Sequence, residues 1–218
     1  MFLFEPIENA CLQVLPIPAD EEIASLFHAF VRTKFGWSII DDHGTYAIAT
    51  LSDLIPLYSK GALQTSLCAR DIASPVFSLP QDTKLSKAIQ EMIRRSVRRV
   101  FLSDTNRFVS DREILTYIFS PERLALVRNS PHEMLESTLE DVGSVEPIAV
   151  DGSETLREAS DLFKPVSGAW CLACREGVVT PWDLVVKPLK MGQLIIREEM
   201  ERIDSAVTVA RKEAGFVK

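Results

Sequence analysis

Long apolar runs are absent from this 218-residue sequence, in which no segment reaches the roughly 18 to 20 uninterrupted apolar residues of a membrane-spanning helix. The first six residues lack the basic flank, the apolar stretch and the cleavage site of a secretory signal peptide. Basic residues are outnumbered, since 24 lysines and arginines stand against 31 aspartates and glutamates, and the formal net charge is -7. A net acidic surface disfavours bulk binding of nucleic acid or of anionic membranes, although a local basic cluster can still bind phosphate. We therefore expect a cytoplasmic protein without a membrane partner.

Disulfide and metal-binding patterns are also lacking. Four cysteines in a chain of this size do not form a disulfide framework. Cys171 and Cys174 form a single CxxC, but no second pair and no nearby histidines complete a metal site. The stretch 169–174 is better interpreted as a buried strand in which both cysteines act as small apolar residues.

Signals of catalysis are thin. The sequence contains no Walker-type phosphate loop and no Gly-x-Gly-x-x-Gly run. The histidines His28, His43 and His132 share no local arrangement with a nucleophile or a base, and the acidic pair Asp41 and Asp42 is interpreted as a turn former. We expect a protein that is not an enzyme and has no cofactor, and an enzyme with an unrecognised site is the remote alternative.

What the sequence does contain is one order of signals that occurs three times. Each repeat opens with a short apolar strand, then has an amphipathic helix, two strands joined by a turn, and a second helix. The residues predicted to cap the first helices with their side-chain oxygens are Asp20, Asp82 and Ser153. The pattern predicts three βαββα units.

The junction between the last strand and the second helix is the most informative part of each repeat. There a hydroxyl residue is followed three positions later by a carboxylate, and the three pairs are Thr50 with Asp53, Ser110 with Glu113, and Thr180 with Asp183. The hydroxyl residues lie about 60 and 70 residues apart, so the three junctions agree in register. On the residues alone, each hydroxyl can simply cap its helix while the carboxylate stabilises the first turn.

This pattern resembles the CBS domain, the cystathionine β-synthase type regulatory repeat, whose signature is Gly-apolar-x-Thr/Ser-x-x-Asp/Asn before the last helix. The third repeat matches the signature from Gly177 to Asp183, the first has Ala47 for the glycine, and the second has Arg107 for the glycine and Glu113 for the aspartate. The resemblance covers about residues 8 to 190.

The resemblance implies an α+β fold of about three tandem units, each with a small sheet packed on a helix pair. The expected boundaries are residues 1–65 for the first repeat, 66–137 for the second repeat and its connector, and 138–190 for the third. Residues 121–140 are predicted to connect the second and third repeats largely as helix. Residues 191–218 show the spacing of an amphipathic helix.

In CBS domains the aspartate binds a ribose and the Thr or Ser lies near the phosphates. The chemistry agrees, because a fixed carboxylate can accept hydrogen bonds from both ribose hydroxyls and a helix N-terminus favours phosphate. The candidate nucleotide-binding residues are Thr50, Asp53, Arg98, Arg99, Ser110, Gly177, Thr180 and Asp183.

The phosphate-binding candidates come from an arginine cluster between the first helix and the next strand of the second repeat. Arg98 and Arg99 take the positions of the basic pair in the CBS stretch apolar-His-Arg-apolar-Pro-apolar, with Phe101 in place of the proline. A guanidinium group suits phosphate because its planar fork can donate two hydrogen bonds. A solvated basic face is the alternative, and it is the interpretation preferred for Arg94 and Arg95.

These features predict a regulatory protein that binds AMP, ADP or ATP, or else S-adenosylmethionine, and acts as a ligand sensor. Because the equivalent stretches of the first and third repeats carry no basic residue, the first two repeats are expected to form one complete module. The third repeat would then be unpaired and would drive formation of a homodimer. The competing hypothesis is an assembly module whose ligand sites have decayed.

Overall fold

The computed structural model describes residues 14–163, 171–197 and 203. Within these residues the chain divides into two compact units. The central unit is residues 75–147, and the split unit combines residues 14–74 with the described residues from 148 onward. No helix in the described ranges has the length and the apolar character that crossing a membrane requires.

The first repeat has the predicted order of elements. They are β1 (Ile17–Pro18), α1 (Ile23–Thr33), β2 (Trp37–Asp42), β3 (Thr45–Thr50), α2 (Leu51–Leu54) and α3 (Pro56–Ser59), followed by β4 (Leu63–Gln64) and α4 (Ala69–Ile72). Strand β2 lies between β1, which is parallel to it, and β3, which is antiparallel. Helix α1 buries Leu26, Phe27 and Phe30 because these residues recur at helical spacing on one face.

The second and third repeats repeat this architecture. The second contains β5 (Ser78–Leu79), α5 (Leu85–Arg95), β6 (Arg99–Leu102), β7 (Phe108–Ser110) and α6 (Asp111–Ile118), and its connector contains α7 (Leu124–Asn129), α8 (Pro131–Glu136) and α9 (Leu139–Val142). The third contains β8 (Ile148–Ala149), α10 (Leu156–Leu162), β9 (Leu172–Cys174), β10 (Gly177–Val179) and α11 (Pro181–Lys190), with β11 (Ile195–Ile196) after it. Each repeat has its own three-stranded sheet, as predicted, and the connector is largely helical.

The predicted caps of the three first helices are wrong by two residues. The N-cap residues are Glu22, Lys84 and Thr155 rather than Asp20, Asp82 and Ser153. In the third repeat the reason is visible, because Glu158 accepts hydrogen bonds from the backbone N–H and the hydroxyl of Thr155, both at 2.9 Å, and this reciprocal contact fixes the start of α10.

The split unit has one hydrophobic core, to which both the first and the third repeats contribute. Helix α1 packs on α11, α3 packs on α10, and α2 packs on α11. The hydroxyl of Tyr58 crosses between the repeats and donates to the carbonyl of Leu184 at 2.7 Å. The expectation that the first repeat forms a module with the second is therefore wrong as regards the core, because the helices of the first repeat interlock with those of the third.

The central unit has a separate core. Its members come from α5, α6, the β5–β6–β7 sheet and the connector, which contributes Val127, Met134 and Leu139. The connector residues therefore cover part of the second repeat, as the apolar spacing of residues 121–140 predicted.

The tail does not begin as the predicted helix. Helix α11 ends at Lys190, Gly192 adopts a left-handed conformation with φ 66°, and Ile195–Ile196 pair with β4 as an antiparallel strand. Pairing with the exposed edge of β4 satisfies backbone groups that a helix would satisfy internally. Ile203 is helical and buried, and the other residues of the predicted helix lie outside the described residues.

The cysteine stretch was predicted to be a buried strand over residues 169–174, and its described part contains β9 (Leu172–Cys174), while residues 169 and 170 lie outside the described residues. Cys171 is buried, and Cys174 lies in β9 and is half-buried. Burial raises the pKa of the Cys174 thiol, so this thiol is less reactive than an exposed one.

Candidate functional site

The three strand-to-helix junctions share one local structure. Oδ2 of Asp53 accepts hydrogen bonds from the backbone N–H of Thr50 at 2.7 Å and from its hydroxyl at 2.8 Å. Oδ2 of Asp183 makes the same two contacts with Thr180, at 2.8 and 2.7 Å. In the second repeat Glu113 accepts from the backbone N–H and the hydroxyl of Ser110. The helix-capping interpretation is thus realised at all three junctions.

The junction of the first repeat keeps one acceptor available. The described residues donate no hydrogen bond to Oδ1 of Asp53, and the side chain is half-buried. Trp37 lies directly opposite Thr50 in the β2–β3 register, so the two side chains share a face of the sheet. Trp37 is stacked on Phe35 with ring centroids 5.5 Å apart. Thr50, which holds Asp53 in place, therefore shares a sheet face with a flat aromatic surface.

The same sheet face continues with apolar side chains away from the junction. Ile39 lies opposite Ile48, and Tyr46 is two residues further along β3. The side chains of Tyr46 and Ile48 are exposed, whereas the opposite face of the sheet, with Ile40, is buried in the core. Asp41 lies opposite Tyr46 on this face, so aromatic, apolar and acidic side chains share the exposed side of the sheet.

The junction of the third repeat is closed by the chain itself. The side chain of Asp183 is 4% exposed, and its Oδ1 accepts from the hydroxyl of Ser74 at 2.8 Å and lies 3.1 Å from Nζ of Lys187. Lys187 also donates to the hydroxyl of Ser74 at 2.9 Å and to the carbonyl of Ile72 at 2.5 Å. Both oxygens of the carboxylate thus have partners, and Lys187 ties α11 to the C-terminal end of α4.

Gly177 meets a backbone requirement at this junction. Its φ is 146°, a conformation that side chains with a Cβ rarely adopt. The equivalent residues of the other repeats are Ala47 and Arg107, so the third repeat alone has the flexible residue at this position.

The second repeat brings the predicted arginines to its own junction. Arg99 lies opposite Ser110 in the β6–β7 register, and the carbonyl of Arg98 accepts from the N–H of Asp111 at 3.0 Å. The exposed guanidinium of Arg98 pairs with Asp111 at 2.7 Å. Arg98, Arg99 and Ser110 thus form one group at the start of α6.

Arg94 and Arg95 face solvent, as expected. Both pair with Glu91 on the same helix, and the three hydrogen bonds that they donate lower the pKa of the Glu91 carboxyl. Of the candidates, Thr50 and Asp53 belong to the split unit, and Arg98 and Arg99 belong to the central unit.

Sequence reasoning missed two residues of the third junction, Ser74 and Lys187. Ser74 follows the short helix α4, whose first turn is held by Asp71 and Cys68, and Ser144 follows α9 in the same way 70 residues later. That interval equals the spacing of Ser110 and Thr180, so extending the repeat search upstream would have found this segment. Lys187 could have been found because it lies four residues after Asp183, the spacing at which an acid and a base can pair on a helix.

Comparison with known proteins agrees with this architecture. Residues 69–120 match the family model of the CBS domain. Protein MJ1225 of Methanocaldococcus jannaschii, described as a proposed archaeal homologue of g-AMPK, aligns over 79% of this chain and 66% of its own with a TM-score of 0.65 and 14% identity. This chain thus spans just under two thirds of that relative.

Two further solved structures are similar. An uncharacterized conserved protein of Pyrococcus horikoshii aligns over 78% of this chain and 77% of its own, with a TM-score of 0.52 and 14% identity. A CBS domain protein of Pyrobaculum aerophilum, solved with AMP, aligns over 54% of this chain and 89% of its own, with a TM-score of 0.40 and 18% identity. No curated protein sequence matches the chain. Residues 69–120 therefore match the CBS domain, and the chain shares the fold of protein MJ1225 over 79% of its length.

Proposed function

We propose that this protein is a regulatory sensor that binds an adenine nucleotide at the junction of the first repeat. The observation that carries the proposal is Oδ1 of Asp53, to which the described residues donate no hydrogen bond, at a junction whose Thr50 shares a sheet face with Trp37. CBS domains are typically regulatory modules, which fits a binding role and not catalysis.

Each part of a nucleotide has a chemically matched group at this junction. Oδ1 of Asp53 is a charged acceptor for a ribose hydroxyl, while Oδ2 is already held in place by Thr50. The adenine ring can stack on Trp37 or on the apolar face that continues from it. Since Asp53 is fixed by its contacts with Thr50 before a ligand arrives, binding costs little reorganisation of the carboxylate.

Phosphate groups require cations, and within the central unit we propose Arg98 and Arg99 as a phosphate-binding pair. Both residues lie at the start of α6, where the N-terminus of a helix also favours negative charge. Arg98 is now paired with Asp111, and an exposed pair of this kind costs little to exchange for a phosphate.

The junction of the third repeat is the weaker candidate. A ribose hydroxyl at Asp183 would have to displace the hydroxyl of Ser74 or the ammonium group of Lys187, because both already occupy Oδ1. We therefore propose that Asp53 holds the ribose. Thr180, Asp183 and Gly177 would bind ligand only after Oδ1 of Asp183 has lost its contacts with the rest of the chain.

Replacing Asp53 by asparagine is expected to lower the affinity for AMP and for adenosine by roughly tenfold or more. The reason is that hydrogen bonds to a charged acceptor contribute about 1.5 to 3 kcal/mol each. Isothermal titration calorimetry with AMP, ATP, adenosine and S-adenosylmethionine measures the affinities. A thermal-shift screen with the same ligands shows which of them stabilises the folded state.

The matched control is Glu158→Gln, which makes the same carboxylate-to-amide change in another capping arrangement of the split unit. This variant should lose similar cap contacts and keep the parent affinity. If Asp53→Asn binds every ligand as tightly as Glu158→Gln does, the ribose assignment is wrong.

The competing function is an assembly module without a ligand. The observation that favours it is that all three junction carboxylates already serve as helix caps. This function predicts no stabilisation by any of the four ligands at millimolar concentration, whereas a ligand present at 100 times its dissociation constant adds about 2.7 kcal/mol of stability.

A further inference from the structure

The junction of the third repeat is closed by two side chains from different parts of the split unit. The hydroxyl of Ser74 donates to Oδ1 of Asp183 at 2.8 Å. Nζ of Lys187 lies 3.1 Å from the same oxygen, and it also donates to the Ser74 hydroxyl at 2.9 Å and to the carbonyl of Ile72. We call these contacts of Ser74 and Lys187 the latch of the third junction.

The position of Lys187 is apolar in the other two repeats. Four residues after the junction carboxylate, the first repeat has Leu57 and the second has Tyr117, and both side chains are buried. A lysine at a position that otherwise buries an apolar side chain is unfavourable unless its charge is paired. Lys187 is paired with Asp183 and keeps 29% of its side chain exposed. Its presence is therefore explained by the latch and not by core packing.

Ser74 is held at the edge of the third sheet by its backbone as well as by its hydroxyl. Its N–H donates to the carbonyl of Val178 at 2.7 Å, and the N–H of Val178 donates to the carbonyl of Ser74 at 2.9 Å. Ser74 is also the last residue of its segment of the split unit, because the next residue begins the central unit. The latch therefore acts on the residue at which the chain leaves the split unit.

The second repeat has the same kind of edge pairing without the latch. Phe108, which like Val178 lies two residues before the junction hydroxyl, pairs with Val145 through two backbone hydrogen bonds. Valine has no hydroxyl with which to reach the junction carboxylate, Glu113. Ser144 precedes the paired residue, and its hydroxyl accepts from Nε of Arg107 at 2.7 Å. A one-residue difference in register thus gives the third junction a hydroxyl that the second junction does not receive.

The hydroxyl of Ser74 is chemically the same donor as a ribose hydroxyl. Both present one O–H, and a carboxylate oxygen accepts about two hydrogen bonds. At Oδ1 of Asp183 these two positions are taken by Ser74 and Lys187. A ligand hydroxyl at this oxygen and the closed latch therefore exclude each other.

We propose that the latch is a conformational switch, which keeps the third junction closed without ligand and opens when a nucleoside hydroxyl displaces Ser74 from Asp183. The proposal rests on the proposed function for the chemical class of the ligand. Opening removes side-chain contacts that hold Ile72 and Ser74, which directly precede the central unit. Occupancy of the third junction is thereby coupled to how firmly this end of the split-unit segment is held.

Replacing Ser74 by alanine is expected to loosen the latch without any ligand. The N–H of Val178 donates to the carbonyl of residue 74, so its hydrogen exchange should become roughly tenfold faster once the hydrogen bond to the charged carboxylate is lost. Exchange measured by NMR reports this rate. The matched control is Ser144→Ala, the same change after α9, which should leave Val178 at the parent rate. Equal exchange of Val178 in the two variants overturns the proposal.

Opening the latch should also raise the affinity of the third junction for adenosine. In an Asp53→Asn background, which weakens the first junction, Ser74→Ala should bind adenosine roughly tenfold or more tightly, because no side-chain hydroxyl competes with the ligand. Calorimetric titration measures the affinity. Adding Asp183→Asn should abolish the gain, and Ser144→Ala should show none. A Ser74→Ala variant that binds no more tightly than Ser144→Ala overturns the proposal, and so does a gain that survives Asp183→Asn.

These outcomes separate the latch from the proposed function. If Asp53→Asn alone leaves the affinity for adenosine unchanged while Ser74→Ala still gains affinity through Asp183, the ribose assignment of the first junction is wrong and the latch stands. A second variant covers the case in which Ser74→Ala fails to fold. Lys187→Met removes the other contact of the latch and should raise adenosine affinity in the same background, whereas Lys190→Met should not. Equal affinities of these two variants also overturn the proposal.

Discussion

Replacing Lys187 by methionine is expected to lower the free energy of unfolding by about 3 kcal/mol, because the change leaves a buried carboxylate without its cation. Nζ of Lys187 lies 3.1 Å from Oδ1 of Asp183, whose side chain is 4% exposed. The carbonyl of Ile72 and the hydroxyl of Ser74 lose a donor at the same time. Methionine retains an unbranched stem, so packing changes little. Urea unfolding followed by circular dichroism measures the loss as a lower midpoint at an unchanged slope.

The control for this change is Lys190→Met, three residues further along α11 at an exposed position. A surface substitution of this kind should stay within about 0.5 kcal/mol of the parent. Adding Asp183→Asn to Lys187→Met removes the unpaired charge and should recover at least about 1 kcal/mol. Equal stabilities of Lys187→Met and Lys190→Met would show that the buried pair contributes nothing to the fold.

The repeat and its elements could be predicted from sequence because each follows from local chemistry. The spacing of Leu26, Phe27 and Phe30 requires a helix with one buried face, and α1 has it. The junction pairs were found because a hydroxyl residue and a carboxylate three positions apart stabilise a helix start wherever it lies in the fold. Their capping contacts are accordingly the part of the site for which the local sequence and the structure agree.

The pairing of repeats could not be predicted in the same way, because it depends on contacts far apart in the chain. The expectation that the first two repeats form a module was based on the location of Arg98 and Arg99. That location predicts where positive charge lies, but it does not predict which helices pack together. Tyr58 and Leu184, which join the first and third repeats, are 126 positions apart. A sequence pattern shows that a helix has an apolar face, but it does not identify the surface that covers it.

The difference between the junctions of the first and third repeats could not be predicted from the sequence either. By motif alone the third repeat matches the CBS signature better, since it has Gly177 where the first repeat has Ala47. The structure shows that Asp183 already bonds to Ser74, which comes from a segment 109 positions away. A better match to a motif therefore coincides here with a less available carboxylate.

Replacing both Arg98 and Arg99 by alanine is expected to lower the affinity for AMP and ATP by roughly a hundredfold while leaving adenosine nearly unaffected. Each guanidinium group that donates to a phosphate contributes about 1.5 to 3 kcal/mol, and adenosine has no phosphate to lose. The variant should also show a weaker dependence of AMP affinity on salt, because fewer charges interact. Calorimetric titrations with AMP and with adenosine at two salt concentrations measure all three effects.

The matched control is the double variant Arg94→Ala and Arg95→Ala. It also removes two positive charges from the arginine cluster, at the end of α5. Both of these arginines pair with Glu91 and face solvent, so their loss should change the net charge equally without removing a phosphate contact. The Arg98 pair with Asp111 is exposed, and its loss should change stability by about 1 kcal/mol or less. A drop in AMP affinity that is equal in both double variants would mean that the arginine cluster acts only through its overall charge. An unchanged affinity in the Arg98 and Arg99 variant would mean that the phosphates bind elsewhere.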